Sequence, residues 1–233
     1  MNYQIKTPRI TLEYTPETTA LSVTVNSRDI TWKTANIPFI VLGDQSVAFT
    51  DAKCESRAYQ TGVSQGVRAV YSQFTGADGT VYPFSVETDV SVNHATGFVR
   101  MEARVEGDGM GEISVMAYPP RMAYDAEEGH GYTVLPRMQG TLIPAGHPEK
   151  MNDGIVFERG AYIPVYGQIK DGCGYTAIYD TPFDARYSVV GEEIQPYFTT
   201  SLGTMRYPRA MVYDFFAEGD FNTIAKTYRA YLT

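Results

Sequence analysis

Short segments that alternate apolar and polar residues recur through most of this chain, at intervals of roughly ten residues and with turn-forming residues between them. The segment "LSVTVNSRDITWKT" alternates on both sides of "NSRD", as a hairpin does. The segments "GVRAVYSQF" and "VYPFSVETDVSV" likewise flank "TGADGT", whose Asp78-Gly79 favours a tight turn. This pattern predicts an all-β fold, an antiparallel β-sandwich.

Further segments extend the same pattern toward the end of the chain. The segments "GFVRMEARVEG" and "GEISVMAYPP" are predicted to pair around "DGMG". More predicted strands follow in "GYTVLP", "GTLIP", "GIVFERGAYIPVYGQIK", "GYTAIYD", "ARYSVV" and "RAMVYDFF". Because a chain of 233 residues with 43% hydrophobic residues can bury a large core, we expect one β-sandwich domain over residues 1–218.

The last fifteen residues, "GDFNTIAKTYRAYLT", carry the one helical pattern of the sequence. The spacing predicts a helix with Asp220 as its N-cap, because the carboxylate can accept hydrogen bonds from the free amides of the first turn. One face of this helix collects Phe221, Ile224, Ala225, Tyr228 and Leu232. We expect this face to pack on the sandwich, chiefly through Phe221, Ile224, Tyr228 and Leu232, with Lys226 and Arg229 in water.

Charge and hydropathy exclude several classes of partner. The net charge is −8, and the 19 Lys and Arg residues are spread along the sequence, which argues against nucleic-acid binding and anionic membrane surfaces. No apolar run approaches the ~20 residues that span a bilayer. The N-terminus lacks the apolar stretch of a signal peptide, which favours the cytoplasm unless the sequence is a piece of a longer chain.

The sequence predicts neither a metal site nor a cofactor. The three histidines, His94, His130 and His147, have no metal-ligand spacing. The loop "DAEEGH" holds Asp125, Glu127, Glu128 and His130, but it lacks a regular calcium-loop spacing, so a solvated loop is favoured over a cation site. Cys54 and Cys173 are expected to be small buried hydrophobes, with a single disulfide as the alternative.

We predict no catalytic residue in this chain. The segment "GVSQG" matches the pattern of a nucleophilic serine at Ser64, but a predicted strand follows it where that pattern requires a helix, so a glycine-flanked turn is favoured. Many carboxylates lie in the second half, and sequence alone nominates no pair as the dyad that glycosidic chemistry needs.

The aromatic content indicates sugar binding as one function. Eighteen Tyr and eleven Phe residues exceed what an ordinary core requires, and a tyrosine ring offers a flat apolar face with a hydroxyl. The segments "AYPPRMAYDAEEGHGY" and "PRMQG" place such groups among prolines, which stiffen loops. Our candidate sugar contacts are Tyr118, Arg121, Tyr124, Arg137 and Gln139. The alternative interpretation is that Arg121 and Arg137 pair with Asp125, Glu127 or Glu128 across a loop.

Three blocks in the second half of the chain match a known family: "GYTVLPRMQGTLIPAG", "ERGAYIPVYGQIKDGCGYTAIYDTPFDARYSVV" and "EGDFNTIAKTYRAYL". These blocks resemble the N-terminal β-sandwich of large modular glycoside hydrolases. The matching positions are Pro136, Gly140, Ile143, Pro144, Pro164, Gly167, Lys170, Asp171, Gly172, Gly174, Tyr175, Thr181, Pro182, Asp184, Ala185, Gly219, Asp220, Ala225, Lys226, Tyr228 and Arg229. The resemblance is to the α-N-acetylgalactosaminidase type, glycoside hydrolase families 129 and 101 and relatives, and more distantly to the family 31 α-glucosidases.

This resemblance implies a galactose-mutarotase-like supersandwich whose final helix, residues 219–233, leads into a catalytic (β/α)₈ barrel. It implies carbohydrate as the partner and a non-catalytic role for this domain. A free-standing aldose 1-epimerase or a lectin-like protein is the alternative. "NHATGF" resembles the histidine motif of mutarotases at Asn93 and His94, and it departs from that motif at Ala95 and Thr96.

Overall fold

The computed structural model describes residues 1–124, 130–137, 140–147, 153–156, 163–200, 205 and 207–233. Within these residues the chain forms twenty β-strands, three short 3₁₀ helices and one α-helix. The strands are β1 Tyr3–Lys6, β2 Ile10–Thr15, β3 Ala20–Val25, β4 Ile30–Thr34, β5 Phe39–Leu42, β6 Gln45–Ala48, β7 Lys53–Gln60, β8 Ser64–Ser72, β9 Phe84–Asn93, β10 Val99–Gly107, β11 Ile113–Ala117, β12 Met122–Tyr124, β13 Gly131–Leu135, β14 Thr141–Pro144, β15 Gly154–Ile155, β16 Val165–Lys170, β17 Cys173–Tyr179, β18 Ala185–Val190, β19 Glu193–Thr199 and β20 Arg209–Phe216. The 3₁₀ helices are Pro16–Thr18, Phe49–Asp51 and Met110–Glu112, and the α-helix, α1, is Phe221–Leu232.

The strands form three antiparallel sheets. The nine-stranded sheet has the order β14-β13-β16-β17-β20-β10-β9-β8-β7. The five-stranded sheet is β1-β2-β3-β4-β12, and the six-stranded sheet is β15-β18-β19-β11-β5-β6. Apolar residues from all three sheets, such as Leu12, Ile113 and Tyr213, share one large core. The predicted antiparallel β-sandwich with a C-terminal helix is therefore confirmed.

Alternation explains which face of each strand meets this core. On β20, Met211, Tyr213 and Phe215 belong to the large core, while Val212 and Phe216 belong to a second, smaller cluster. Side chains of successive residues point to opposite faces of a sheet, so the second cluster lies on the outer face of the nine-stranded sheet. The helix α1 covers this outer face, which explains why β17 and β20 are buried throughout.

One predicted strand pair does not form. The strands β10 and β11 flank "DGMG", yet β10 pairs with β9 and β20, whereas β11 pairs with β5 and β19 in another sheet. Both neighbouring positions of β10 are occupied, so the chain must leave the sheet at this point. Gly107 and Gly109, at φ +106° and +81°, adopt the left-handed conformations of this crossing.

The face of α1 that packs on the sheet differs from the predicted one. Ile224 and Thr227 are buried, whereas Phe221 and Leu232 are 46% and 65% exposed. Relative to the predicted face, the inward face of α1 is rotated toward Thr227 and Tyr231. The sheet beneath the helix presents carboxylates as well as apolar side chains, and the hydroxyls of these two residues donate to them. The inward side chains are Ile224, Thr227, Tyr228 and Tyr231, while Ala225, Lys226 and Arg229 are exposed.

Candidate functional site

The first turn of α1 is fixed to the nine-stranded sheet. The Asp220 carboxylate accepts hydrogen bonds from the Asn222 and Thr223 amides, and the Thr223 hydroxyl accepts one from the Asp220 amide. The amide of Phe221 donates to the Tyr132 hydroxyl at 2.9 Å, which ties the helix to β13. The predicted N-cap at Asp220 is confirmed, and the helix begins at a defined position on the sheet.

The middle of α1 covers a buried carboxylate. Asp214 lies on β20 under the helix, where it accepts a hydrogen bond from the Thr227 hydroxyl at 3.2 Å. The Arg9 guanidinium, from a loop of the five-stranded sheet, donates to the other Asp214 oxygen at 2.7 Å. Burial raises the pKa of the Asp214 carboxyl, and the Arg9 charge offsets part of this rise. One carboxylate therefore joins the helix, the central strand and a second sheet.

A second carboxylate holds the last turn of α1. Asp180, at the end of β17, accepts hydrogen bonds from the Tyr231 hydroxyl and from the Arg100 guanidinium. Arg100 also bonds to Glu102, at 2.8 Å. Burial and the bond to Asp180 raise the pKa of Tyr231 to about 12, so the hydroxyl stays protonated and remains a donor. The helix is thus attached at its start, its middle and its end.

These attachments were absent from the sequence-based prediction. Arg9 and Asp214 are separated by 205 positions, so no local pattern links them. One signal was available, because Asp214 interrupts the apolar run "AMVYDFF". A carboxylate in a strand that is buried on both faces requires a partner.

The predicted sugar contacts are distributed between the core and the surface. Tyr118 is only 3% exposed and stacks on Phe49 in the large core. Arg121 is largely buried and its Nε lies 3.2 Å from a Glu193 oxygen. This ion pair joins Arg121 to β19. The alternative partners Asp125, Glu127 and Glu128 fall outside the described residues.

The other predicted contacts lie nearby in the chain. The half-buried Tyr124 packs on Trp32 with ring centroids 5.2 Å apart. Arg137 is exposed, and its carbonyl accepts from the Gly140 amide at 2.9 Å. Gln139 lies outside the described residues. The site of these five residues stays a prediction.

The remaining sequence motifs occupy structural positions. Ser64 is the first residue of β8 and follows a turn, as the turn interpretation predicted. In this turn the Ser64 amide donates a hydrogen bond to the Thr61 hydroxyl at 3.0 Å. The Asn93 side-chain oxygen Oδ1 accepts hydrogen bonds from the Ala95 and Thr96 amides, and the neighbouring His94 is exposed. Cys54 and Cys173 are free thiols, which removes the disulfide alternative.

The described residues contain neither a metal-binding cluster nor a membrane-spanning helix. Within them, no group of three or more His, Cys, Asp and Glu side chains could hold a metal ion. In the same part of the chain, no helix has the length and apolar character needed to cross a bilayer.

Comparison with solved structures extends to nearly the whole chain. The α-N-acetylgalactosaminidase NagBb from Bifidobacterium bifidum, in its GalNAc complex, matches 99% of this chain with a TM-score of 0.86 and 28% sequence identity. The match covers 38% of the NagBb chain. The chain resembles one domain of a modular glycoside hydrolase. The resemblance predicted from its second half is confirmed, and it extends over the first half as well.

More distant matches share the fold alone. A protein in glycosyl hydrolase family 38 from Enterococcus faecalis matches 97% of this chain with a TM-score of 0.61 and 11% identity. A bacterial glucoamylase complexed with acarbose matches 94% with a TM-score of 0.55 and 12% identity. The chain spans about a third of each of these solved chains, 32% and 34%. No family model and no curated protein matches the sequence.

Proposed function

We propose that residues 1–218 are a non-catalytic, carbohydrate-associated domain of a modular α-glycosidase of the α-N-acetylgalactosaminidase type. Residues 219–233 are the connector helix toward its catalytic barrel. The observation that carries this proposal is the extent of the NagBb match, which covers 99% of this chain and 38% of that one. Because the matched region is 38% of the NagBb chain, the rest of a similar enzyme would be long enough to hold a separate catalytic domain.

The attachment of α1 gives this role a physical basis. Three polar contacts fix the helix to the nine-stranded sheet, at Tyr132, Asp214 and Asp180. A helix held this way sets the direction in which the following polypeptide leaves the sandwich. The domain therefore supports a barrel by orienting it.

The buried carboxylates favour a supporting role over a catalytic one. Asp214 is bonded to Arg9, and Asp184 lies 3.2 Å from Arg209, whose guanidinium stacks on the Tyr207 ring. A general acid in glycoside hydrolysis needs a carboxyl that is free to give its proton to the substrate. Each of these two carboxylates is instead paired with a fixed arginine.

Carbohydrate is the proposed ligand of the assembled enzyme. Tyr118, Arg121, Tyr124, Arg137 and Gln139 remain our proposal for contacts at this domain, and Arg137 is an exposed polar group among them. The alternative is a free-standing epimerase-like or lectin-like protein.

The test compares residues 1–233 with the longer chain that the proposal expects the gene to encode. We expect the longer chain to hydrolyse p-nitrophenyl α-N-acetylgalactosaminide and residues 1–233 to leave it intact. A stop codon directly after Thr233 would contradict the proposal. Polarimetry provides the second readout: mutarotation by residues 1–233 that is lost in His94→Ala would establish the epimerase instead.

A further inference from the structure

The part of the nine-stranded sheet that α1 leaves uncovered carries an aromatic ring that lies close to a glycine of the neighbouring strand. Tyr59 on β7 is paired with Gly66 on β8. A Cβ atom at Gly66 would lie 2.7 Å from the Tyr59 Cζ atom and 2.8 Å from the Ser91 Cβ atom. The glycine is therefore required by this close approach. The Tyr59 side chain itself is half exposed.

Charged neighbours hold this ring in place. The Tyr59 hydroxyl donates to an Asp89 oxygen at 2.7 Å. The Arg68 guanidinium carbon lies 5.7 Å from the centre of the ring, and its Nη2 is 3.5 Å from the other Asp89 oxygen. A ring that is already fixed loses little conformational entropy when a ligand stacks on it.

The same row of side chains continues across the sheet. Gly66 is paired with Ser91 on β9, and Ser91 with Arg100 on β10. Three strand spacings separate Tyr59 from Arg100, a span of about 14 Å. A groove of about 380 Å³ lies at the Arg100 end of this row, beside the last turn of α1. Its lining includes Ser64, Asn93, Phe98 and Tyr231.

The charges along this row favour an uncharged ligand. Arg68 lies between Glu87 and Asp89, and Arg100 lies between Glu102 and Asp180. Because each arginine is already flanked by two carboxylates, the surface does not attract phosphate or nucleic acid. A flat ring beside hydroxyl, amide and guanidinium groups suits a neutral ring that carries hydroxyl groups.

We propose that the outer face of β7, β8, β9 and β10 is a saccharide-binding platform. A pyranose ring stacks on Tyr59, its hydroxyl groups bond to Arg68 and Asp89, and a second sugar unit reaches the groove at Arg100. This site is separate from the predicted contacts at Tyr118 to Gln139. The choice of a sugar rests on the proposed function, whereas the platform itself does not.

The test is a titration of isotope-labelled residues 1–233 with the methyl α-glycosides of galactose and N-acetylgalactosamine, followed through backbone amide shifts. We expect saturable shifts in β7 to β10 at millimolar sugar. Tyr59→Ala should weaken binding at least tenfold, and Arg68→Gln at least threefold. Tyr197→Ala is the matched control, because Tyr197 is a half-exposed strand tyrosine of the six-stranded sheet, and it should bind as the wild type does.

Three outcomes would overturn the platform. These are an absence of saturable shifts in β7 to β10, shifts confined to residues 117–140, and unchanged binding by a folded Tyr59→Ala variant. If Tyr59→Ala fails to fold, unchanged binding by Arg68→Gln gives the same answer. Failure of this titration leaves the hydrolysis test of the longer chain unaffected, so the two proposals fail separately.

Discussion

The hydroxyl of Thr227 donates a hydrogen bond to the carboxylate of Asp214 across the interface between α1 and the nine-stranded sheet. The two side chains are buried, and Arg9 supplies the opposing charge at 2.7 Å. Helices that pack on sheets usually do so through apolar side chains. Here a polar contact at the centre of the interface fixes which face of the helix is turned inward.

Thr227→Val tests this contact. Valine has nearly the same shape as threonine but removes the donor, which leaves one Asp214 oxygen without that hydrogen bond. We expect the free energy of unfolding in urea to fall by about 1.5–3 kcal/mol, the range for hydrogen bonds to charged groups. Thr18→Val, at an exposed position, is the control and should change it by less than about 0.5 kcal/mol. Equal effects of the two substitutions would contradict a specific role for Thr227.

The raised pKa of Asp214 predicts that the stability of the folded chain depends on pH. Burial raises the pKa of this carboxyl in the folded chain above its unfolded value of about 3.9. The folded state therefore binds the proton more tightly, so the contribution of Asp214 to stability rises as the pH falls through the folded pKa toward the unfolded one. In urea titrations from pH 7 to pH 4, wild type should gain stability relative to Asp214→Asn. A gain by the asparagine variant would contradict the raised pKa.

Alanine substitutions in α1 test which face of the helix packs on the sheet. Ile224 is buried among Val165, Ile178 and other residues of the second cluster, so Ile224→Ala should lower the free energy of unfolding by about 2–5 kcal/mol. Phe221→Ala and Leu232→Ala remove exposed side chains and should each change it by less than about 0.5 kcal/mol. Comparable losses at all three positions would restore the face predicted from the sequence.

Gly167 tests how closely the helix approaches the sheet. A Cβ atom at this position on β16 would lie 2.5 Å from the Tyr175 carbonyl oxygen and 2.6 Å from the Ile224 Cδ1 atom. Gly167→Ala should therefore lower the melting temperature, through a loss of about 1–3 kcal/mol from overpacking. Gly62→Ala is the matched control, because no atom lies within 4 Å of its added Cβ. A stable Gly167→Ala variant would show that the β17 backbone and the helix can both shift without loss.

The fold could be predicted from the sequence wherever the information is local. The alternation in "LSVTVNSRDITWKT" and the capping residue Asp220 each depend on neighbours within a few positions. The rotation of α1 could not be predicted, because it depends on Asp214 and Asp180, whose positions under the helix follow from strand order. The pairing of β10 with β20 is likewise long-range.

The same reason limited the prediction of sites. The prediction of Tyr118, Arg121, Tyr124, Arg137 and Gln139 rests on aromatic and hydrogen-bonding side chains that cluster around prolines within one stretch of sequence. The row from Tyr59 to Arg100 crosses four strands, and its members are brought together only by the register of those strands. No sequence window contains it.

The attachment of α1 at both ends has a mechanical consequence. A helix that is attached at two points cannot rotate about either one. A force on polypeptide beyond Thr233 would therefore be transmitted to β13 and β17 as a torque on the whole sheet. A hinge would bend instead. Polypeptide that continues from this helix would then rotate together with the sandwich, and relative motion would have to begin after the last clamped residue, Tyr231.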